Sequence, residues 1–198
     1  MDERHLIEEK LDSEELFKGH FLHAFRDTVR LPDGQRAVRE YVRHPGAVMI
    51  VPLLEDAHGG LRLVLERQFR YPVGRVMIEF PAGKLDVDED ALCCARRELL
   101  EETGYSATHW AKAGLIHPVI AYSTEYIEIW FARGLSLGAR RLDVGEFLDV
   151  FTSTADELMR WCADGTVTDA KTLAAALWLH QVRAGNWSLD WQAVAPAV

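Results

Sequence analysis

The sequence predicts a mixed α/β sandwich with a small β lobe at its N-terminal end. Three observations lead there. The first 80 residues hold several short apolar or alternating runs divided by turn residues, the pattern of strands. Asp88 to Thr103 carries an apolar stripe at helical spacing with stop and start signals at its ends. Two further helical patterns follow near the C-terminus, separated by Gly165, and no repeat or low-complexity tract interrupts the order. Strands and helices interspersed in this way bury their apolar faces by layering helices on a sheet.

Taken in order, residues 1–15 are charged and read as a loose or helical lead-in. Phe17 to Phe25 and Arg36 to Arg43 read as two strands, joined through Leu31-Pro32-Asp33-Gly34, where proline presets φ and glycine supplies the reversed one. This hairpin lobe is assigned to residues 1–45, and the main domain to 46–198. Gly46 to Leu54 is continuously apolar, as in a strand buried on both faces. Leu61 to Phe69 alternates, with Leu61, Leu63 and Leu65 on one face and Arg62 and Glu66 on the other. Val76 to Phe80 is a short strand closed by Pro81. Asp88 reads as the N-cap of the long helix, and Gly104 as the residue that ends it. Tyr126 to Ala132 reads as a strand, and Ala155 to Asp164 and Asp169 to Arg183 as helices, with Trp161, Trp178, Trp187 and Trp191 packing them.

Composition excludes several classes of function. The 198 residues have a net charge of -9, which opposes general nucleic-acid binding, since that needs a basic surface. Three cysteines, two of them adjacent, make neither a disulfide framework nor a zinc knuckle. The charged first ten residues lack the apolar core of a signal peptide, and no run approaches the ~20 apolar residues of a membrane span. A small-molecule partner in a reducing cytoplasm is the expectation, with neither nucleic acid nor membrane as a partner.

The chemistry gathers between Gly83 and Tyr105. Glu98 and Glu102 are four residues apart, so they share a helix face ~6 Å apart along the axis, and Glu101 flanks them. Like charges at this spacing repel, and a cation held between them reverses that cost. Three carboxylates without cysteine or histidine suit a hard ion, Mg²⁺ or Mn²⁺. Arg97 can pair with Glu101 one turn on and steady the carboxylates. Gly83 lets the backbone come close to a ligand, which makes the Ala82 carbonyl a further oxygen ligand. Glu89 stands at the helix start.

Gly83, Glu89, Arg97, Glu98, Leu99, Glu101, Glu102 and Gly104 together, at this spacing, resemble the Nudix box, with Tyr105 in a place usually aliphatic. The resemblance implies an α/β/α sandwich around a mixed central sheet, and attack of water on a diphosphate linked to a further group X. It makes Glu98 and Glu102 the principal metal carboxylates. Glu101 becomes a further ligand or a contact to metal-bound water, and so belongs with the catalytic residues. Glu89 becomes a supporting glutamate.

Three flanking stretches resemble the ADP-ribose pyrophosphatase branch: Val38 to Gly46, Arg67 to Pro72 and Glu79 to Asp86. That resemblance implies a homodimer in which Arg39 and Glu40 read the base across the interface, with Phe17 as a stacking residue. It places Arg70 near the diphosphate, where a guanidinium fork matches phosphate oxygens. A glutamate in a loop after the strands acts as general base. Glu146, within Arg140 to Leu148, fits that part, with Asp143 in reserve. The implied reaction turns ADP-ribose into AMP and ribose 5-phosphate. One stretch departs: relatives carry Ser-Pro-Gly where this chain has Val119-Ile120-Ala121, although Glu125 keeps the position that meets the distal ribose. Another nucleoside diphosphate sugar therefore stays open as substrate, and so does a nucleotide-sensing Nudix module without turnover.

Overall fold

The structure is a computed structural model and describes residues 2–56, 58–142 and 145–195. The chain forms two compact units: Met1–Gly46 with Val119–Tyr126, and Ala47–Pro118 with Ile127–Val198.

The first unit is a three-stranded antiparallel sheet of β1 (Glu9–Lys18), β2 (His23–Arg30) and β3 (Arg36–Arg43), in that order. The lead-in expected to be loose or helical is a 3-10 turn at Arg4–Leu6 followed by β1. Almost every β1 side chain is exposed, so no apolar period marks this strand in the sequence. Its ladder to β2 holds it instead, with Arg30 on Glu9 at 3.0 Å and Ser13 on Asp27 at 2.6 Å. The reversal at Leu31–Gly34 forms as expected, the Gly34 amide donating to the Leu31 carbonyl. The segment around Tyr122 joins β3: the Val42 amide donates to the Tyr122 carbonyl at 2.9 Å, and the Thr124 amide donates to the Val42 carbonyl at 3.0 Å.

The second unit is a mixed α/β/α sandwich. Its strands are β4 (Ala47–Glu55), β5 (Leu61–Arg70), β6 (Arg75–Glu79), β7 (Ala82–Lys84), β8 (Tyr105–Ile116), β9 (Ile127–Leu137), β10 (Leu148–Ser153) and β11 (Gln192–Ala193). The order is β10-β5-β4-β9-β8-β11, with β6 on β5 and β7 on β4. Only β4 and β9 run parallel among these pairs, which makes the sheet mixed. β4 lies inside the sheet, and its Val48, Met49, Ile50 and Val51 are all fully buried. Alternation sends these four to two cores. Val48 and Ile50 meet Cys94, Ala95 and Leu99 of α1 (Ala91–Thr103). Met49 and Val51 share the other core with Leu158 of α2 (Ala155–Asp164) and with Ala175, Ala176 and Leu179 of α3 (Ala170–Arg183).

β8 was not read from the sequence, because Lys112, Gly114 and a bulge between them break its alternation. β9 runs on to Leu137, beyond the apolar stretch, along an edge where its side chains are mostly exposed. Trp161, Trp178 and Trp191 pack against the second core as expected, while Trp187 is partly exposed and rests edge-on against Trp178 at 5.5 Å. Among the described residues no helix is long and apolar enough to cross a membrane.

The start of α1 corrects the sequence reading. Asp90, not Asp88, is the N-cap: its Oδ1 accepts from the Leu92 amide at 2.9 Å and the Cys93 amide at 3.2 Å. Asp88 sits in the preceding turn at φ 59, a left-handed conformation that aspartate tolerates. Either aspartate satisfies the capping rule, and pattern alone does not choose between them. Replacing Asp90 with alanine is expected to lower stability by about 1 kcal/mol, read from the midpoint of a chemical denaturation curve at unchanged slope.

Candidate active site

α1 organises the site. Leu99 and Ala95 fix the helix on the sheet, and this places Glu98 and Glu102 along the margin of the buried face. Glu102 is buried, and the Ala82 amide donates to its Oε2 at 3.0 Å. Glu98 lies one turn back, hard against β7. A Cβ on Gly83 would fall inside the Glu98 carboxylate, so glycine here leaves that side chain the place it occupies against β7. β7 is held in place by pairing with β4, Val48 opposite Gly83 and Met49 opposite Ala82.

Arg97 ties the carboxylates to the loop before the helix. Its Nε and Nη2 donate to the two oxygens of Glu89 at 2.9 and 2.8 Å. Nη1 donates to Glu98 at 2.8 Å and to Glu101 at 3.1 Å, and Nη2 also reaches the Lys84 carbonyl. The Arg97–Glu101 pair expected from spacing is present, but the bidentate bond goes to Glu89. That bond and the Asp86 amide hold the Glu89 carboxyl down at about 2, well below its ordinary range. The surrounding carboxylates raise Arg97 further above its usual value.

β5 forms the opposite wall. Glu66, Gln68 and Arg70 alternate onto one strand face, and the cross-strand register sets Glu79 of β6 directly opposite Glu66. Arg70 forks onto Glu79 through Nε at 2.7 Å and Nη2 at 2.9 Å, and Lys171 of α3 pairs with the same carboxylate. Gln68 donates to Glu146 at 3.2 Å. The loop bearing Glu146 follows β9 and is anchored at the end of α1, where the Gly138 amide donates to the Gly104 carbonyl and the Arg141 amide to the Glu101 carbonyl.

Burial dominates the electrostatics. It lifts the Glu98 carboxyl to about 7, against the pull of Arg97. It lifts Glu102 well above the carboxylate range too, helped by the negative fields of Glu66, Glu98 and Glu146. Glu66 is raised by its own burial and by Glu79 across the ladder. Crowded, desolvated carboxylates of this kind need protons or a cation to neutralise them. The donor set is oxygen throughout, with Glu66 left without a hydrogen-bond partner, so these residues fit a hard divalent ion. Among the described residues no three acidic, histidine or cysteine groups converge into a finished cation site. Arg97 draws Glu98 and Glu101 toward itself, and the Ala82 amide holds Glu102.

The second unit thus brings together Ala82, Gly83, Glu98 and Glu102, with Glu89, Arg97 and Glu101 beside them, and Arg70 and Glu146 on the β5 side. Arg39, Glu40 and Glu125 belong to the first unit. There Arg39 pairs with Glu8, Glu40 accepts from Arg26 at 2.8 Å, and Glu125 lies 3.8 Å from His44. Phe17 is an exposed side chain of β1. Asp143 lies outside the described residues. Sequence reasoning missed Glu66, Gln68, Glu79 and Lys171. The one available signal was a glutamate inside an otherwise apolar strand, and alternation assigned it to the polar side together with Arg62.

Replacing Gly83 with alanine is expected to displace the Glu98 carboxylate and weaken Mn²⁺ binding about tenfold or more, measured by calorimetric titration, while circular dichroism stays unchanged. Glu89→Gln is expected to cost about 1.5–3 kcal/mol at neutral pH, the worth of a charge-assisted hydrogen bond. The sign follows from a carboxyl whose folded value is about 2 against an ordinary 4.5. Its stabilisation is complete above 4.5 and disappears as pH falls toward 2, so the gap between wild type and Glu89→Gln in denaturation closes across that window.

Comparison with known proteins agrees with the geometry. The NUDIX domain model matches residues 43–184, and the model described as nucleoside diphosphate sugar hydrolase N-terminal domain matches residues 8–42. The chain is 36% identical over 180 residues to the methanol dehydrogenase activator of Bacillus methanolicus, covering 88% of this chain and 94% of that protein. It is 33% identical over 177 residues to the ADP-ribose pyrophosphatase of Bacillus subtilis (strain 168), with the same coverage of 88% and 94%. The crystal structure of an ADP compounds hydrolase shares the fold at a TM-score of 0.80 and 23% identity, covering 90% of this chain and 95% of that one. With a capped carboxylate helix on a mixed sheet and a family model spanning most of its length, the chain belongs to the Nudix family, in the branch that includes ADP-ribose pyrophosphatases.

Proposed function

We propose that this Nudix pyrophosphohydrolase cleaves ADP-ribose to AMP and ribose 5-phosphate with Mg²⁺ or Mn²⁺ as its cofactor. The observation that carries the reading is the pair of half-buried Glu98 and buried Glu102 on α1, both within the electrostatic reach of Glu146, whose loop is anchored at the same helix. Glu98, Glu102, Glu101 and the Ala82 carbonyl would hold the cation. When bound, the divalent ion neutralises diphosphate charge and acidifies a water.

The chain's own groups do the rest. Glu146 takes the proton from the attacking water; Gln68 orients that carboxylate and leaves its second oxygen for the task. Arg97 keeps Glu98 and Glu101 at fixed distances from the loop, so little reorganisation accompanies reaction. Arg70 spends Nε and Nη2 on Glu79, and its remaining Nη1 edge offers a donor to a phosphate oxygen. Arg39, Glu40 and Glu125 recognise the base and distal sugar, in a homodimer. These roles rest on resemblance to the branch together with the geometry of each residue's own unit.

A second reading keeps the chemistry and changes group X to another nucleoside diphosphate sugar. The match of residues 8–42 to a nucleoside diphosphate sugar hydrolase N-terminal domain favours it.

The test is product release from ADP-ribose, ADP-glucose and GDP-mannose, each with Mg²⁺ and with EDTA. Metal-dependent formation of AMP chiefly from ADP-ribose is expected, and preference for another sugar moves the substrate within the second reading. No turnover of any member overturns both readings in favour of a sensing module. Glu102→Gln is expected to lower kcat by at least about a hundredfold at saturating Mg²⁺, the scale on which an electrostatic partner of the transition state acts. Near-normal turnover would remove Glu102 from the ligand set.

A further inference from the structure

Glu66 is a buried carboxylate that the box helix does not account for. It is fully buried in the middle of β5, and neither of its oxygens has a hydrogen-bond partner among the described residues. A carboxylate in that position costs several kcal/mol unless something compensates it. Its own neighbourhood does not. The cross-strand partner is another glutamate, Glu79, and like charges directly opposite one another destabilise a ladder. Among the described residues the cations that act on it, Arg70 and Lys171, are already committed: Arg70 forks onto Glu79, and Lys171 divides between Glu79 and Asp169. On its other side Glu66 is paired with Val150 of β10, which offers no polar atom from its side chain.

Strand alternation shows which side of the sheet Glu66 faces. Arg62, Val64, Glu66 and Gln68 share the β5 face opposite to that of Leu63 and Leu65, which belong to the core under α2 and α3. Glu66 therefore points to the α1 side of the sheet. Its charge is felt by Glu102, and that of Glu146 is felt by Glu66. The unpartnered oxygens thus belong to the side of the sheet that α1 covers, within electrostatic reach of Glu102 and Glu146.

We propose that Glu66 is a further carboxylate of the divalent-cation site, supplied by β5 from the wall opposite α1. The site then has two walls, and the ion bridges them. The inference rests on the reading of Glu98 and Glu102 as cation ligands. A plain structural role, with Glu66 as a protonated filler of the core, makes no demand on metal.

The experiment is Mn²⁺ binding to the full chain without substrate. Free Mn²⁺ is read by electron paramagnetic resonance, and the Mn²⁺-induced rise in melting temperature is measured in parallel. Glu66→Gln keeps the shape and removes the charge, Glu66→Met is an apolar replacement of similar volume, and Glu102→Gln is the control. Both Glu66 variants are expected to melt at or above the wild type without metal, because an uncompensated buried charge is gone. They are expected to bind Mn²⁺ at least about tenfold more weakly and to lose most of the Mn²⁺-induced rise. Wild-type isotherms in both Glu66 variants beside weakened binding in Glu102→Gln overturn the inference and leave the site intact. Wild-type isotherms in all three overturn the site reading itself.

Discussion

The second unit is built around a repulsion. Glu66, Glu79, Glu98, Glu102 and Glu146 feel one another's charge between α1 and β5, and Glu66, Glu79 and Glu102 among them are buried. Glu79 is neutralised within the protein, by Arg70 and Lys171. On the helix side Arg97 takes up Glu89 and the outer edges of Glu98 and Glu101. The remaining charge sits between these two basic groups. The apolar frame offsets its cost: four consecutive residues of β4 are buried on both faces, and Leu99 fixes the helix to them. A carboxylate cluster of this kind is not a stabilising motif. It persists because the surrounding core over-determines where its members stand.

Gly83 shows how narrow the arrangement is. β7 is only three residues long, but it carries the amide that holds Glu102 and the α-carbon that lies against Glu98. The backbone here has the role that a side chain has elsewhere. Arg97 then fixes the distance between loop and helix, and Glu89, outside the helix, is the far end of that tie. Glycine, arginine and glutamate at these places therefore serve a single geometric requirement.

Much of this was legible in the sequence. The period of α1 put Glu98 and Glu102 on one face, and Gly104 marked the end of the helix at the right residue. α2 was read to the residue with Gly165 as its stop, and the structure adds a capping box of Thr154 and Glu157 at its start that the sequence reading did not use. The failures have physical causes. β1 is a strand without a buried face, so its ladder leaves no trace in side-chain pattern. Two aspartates near the start of α1 were equally good caps on paper. Glu66 looked like a solvated position because alternation tells which face a residue occupies, but not what covers that face. Glu79 and Lys171 stand 92 residues apart, and no local rule joins them.

That last pairing has a consequence for how the protein comes into being. The first turn of α3 reaches back to the end of β6, through Lys171 to Glu79 and through the Thr172 hydroxyl, which accepts from the Phe80 amide at 3.1 Å. Synthesis therefore finishes the carboxylate helix well before it makes the residues that steady the wall facing it. A nascent chain still lacking α3 already holds every residue of the box, but Glu79 has no lysine and the Phe80 amide has no acceptor. In the order of manufacture the site is closed from its C-terminal side, by a helix that carries none of its reacting groups.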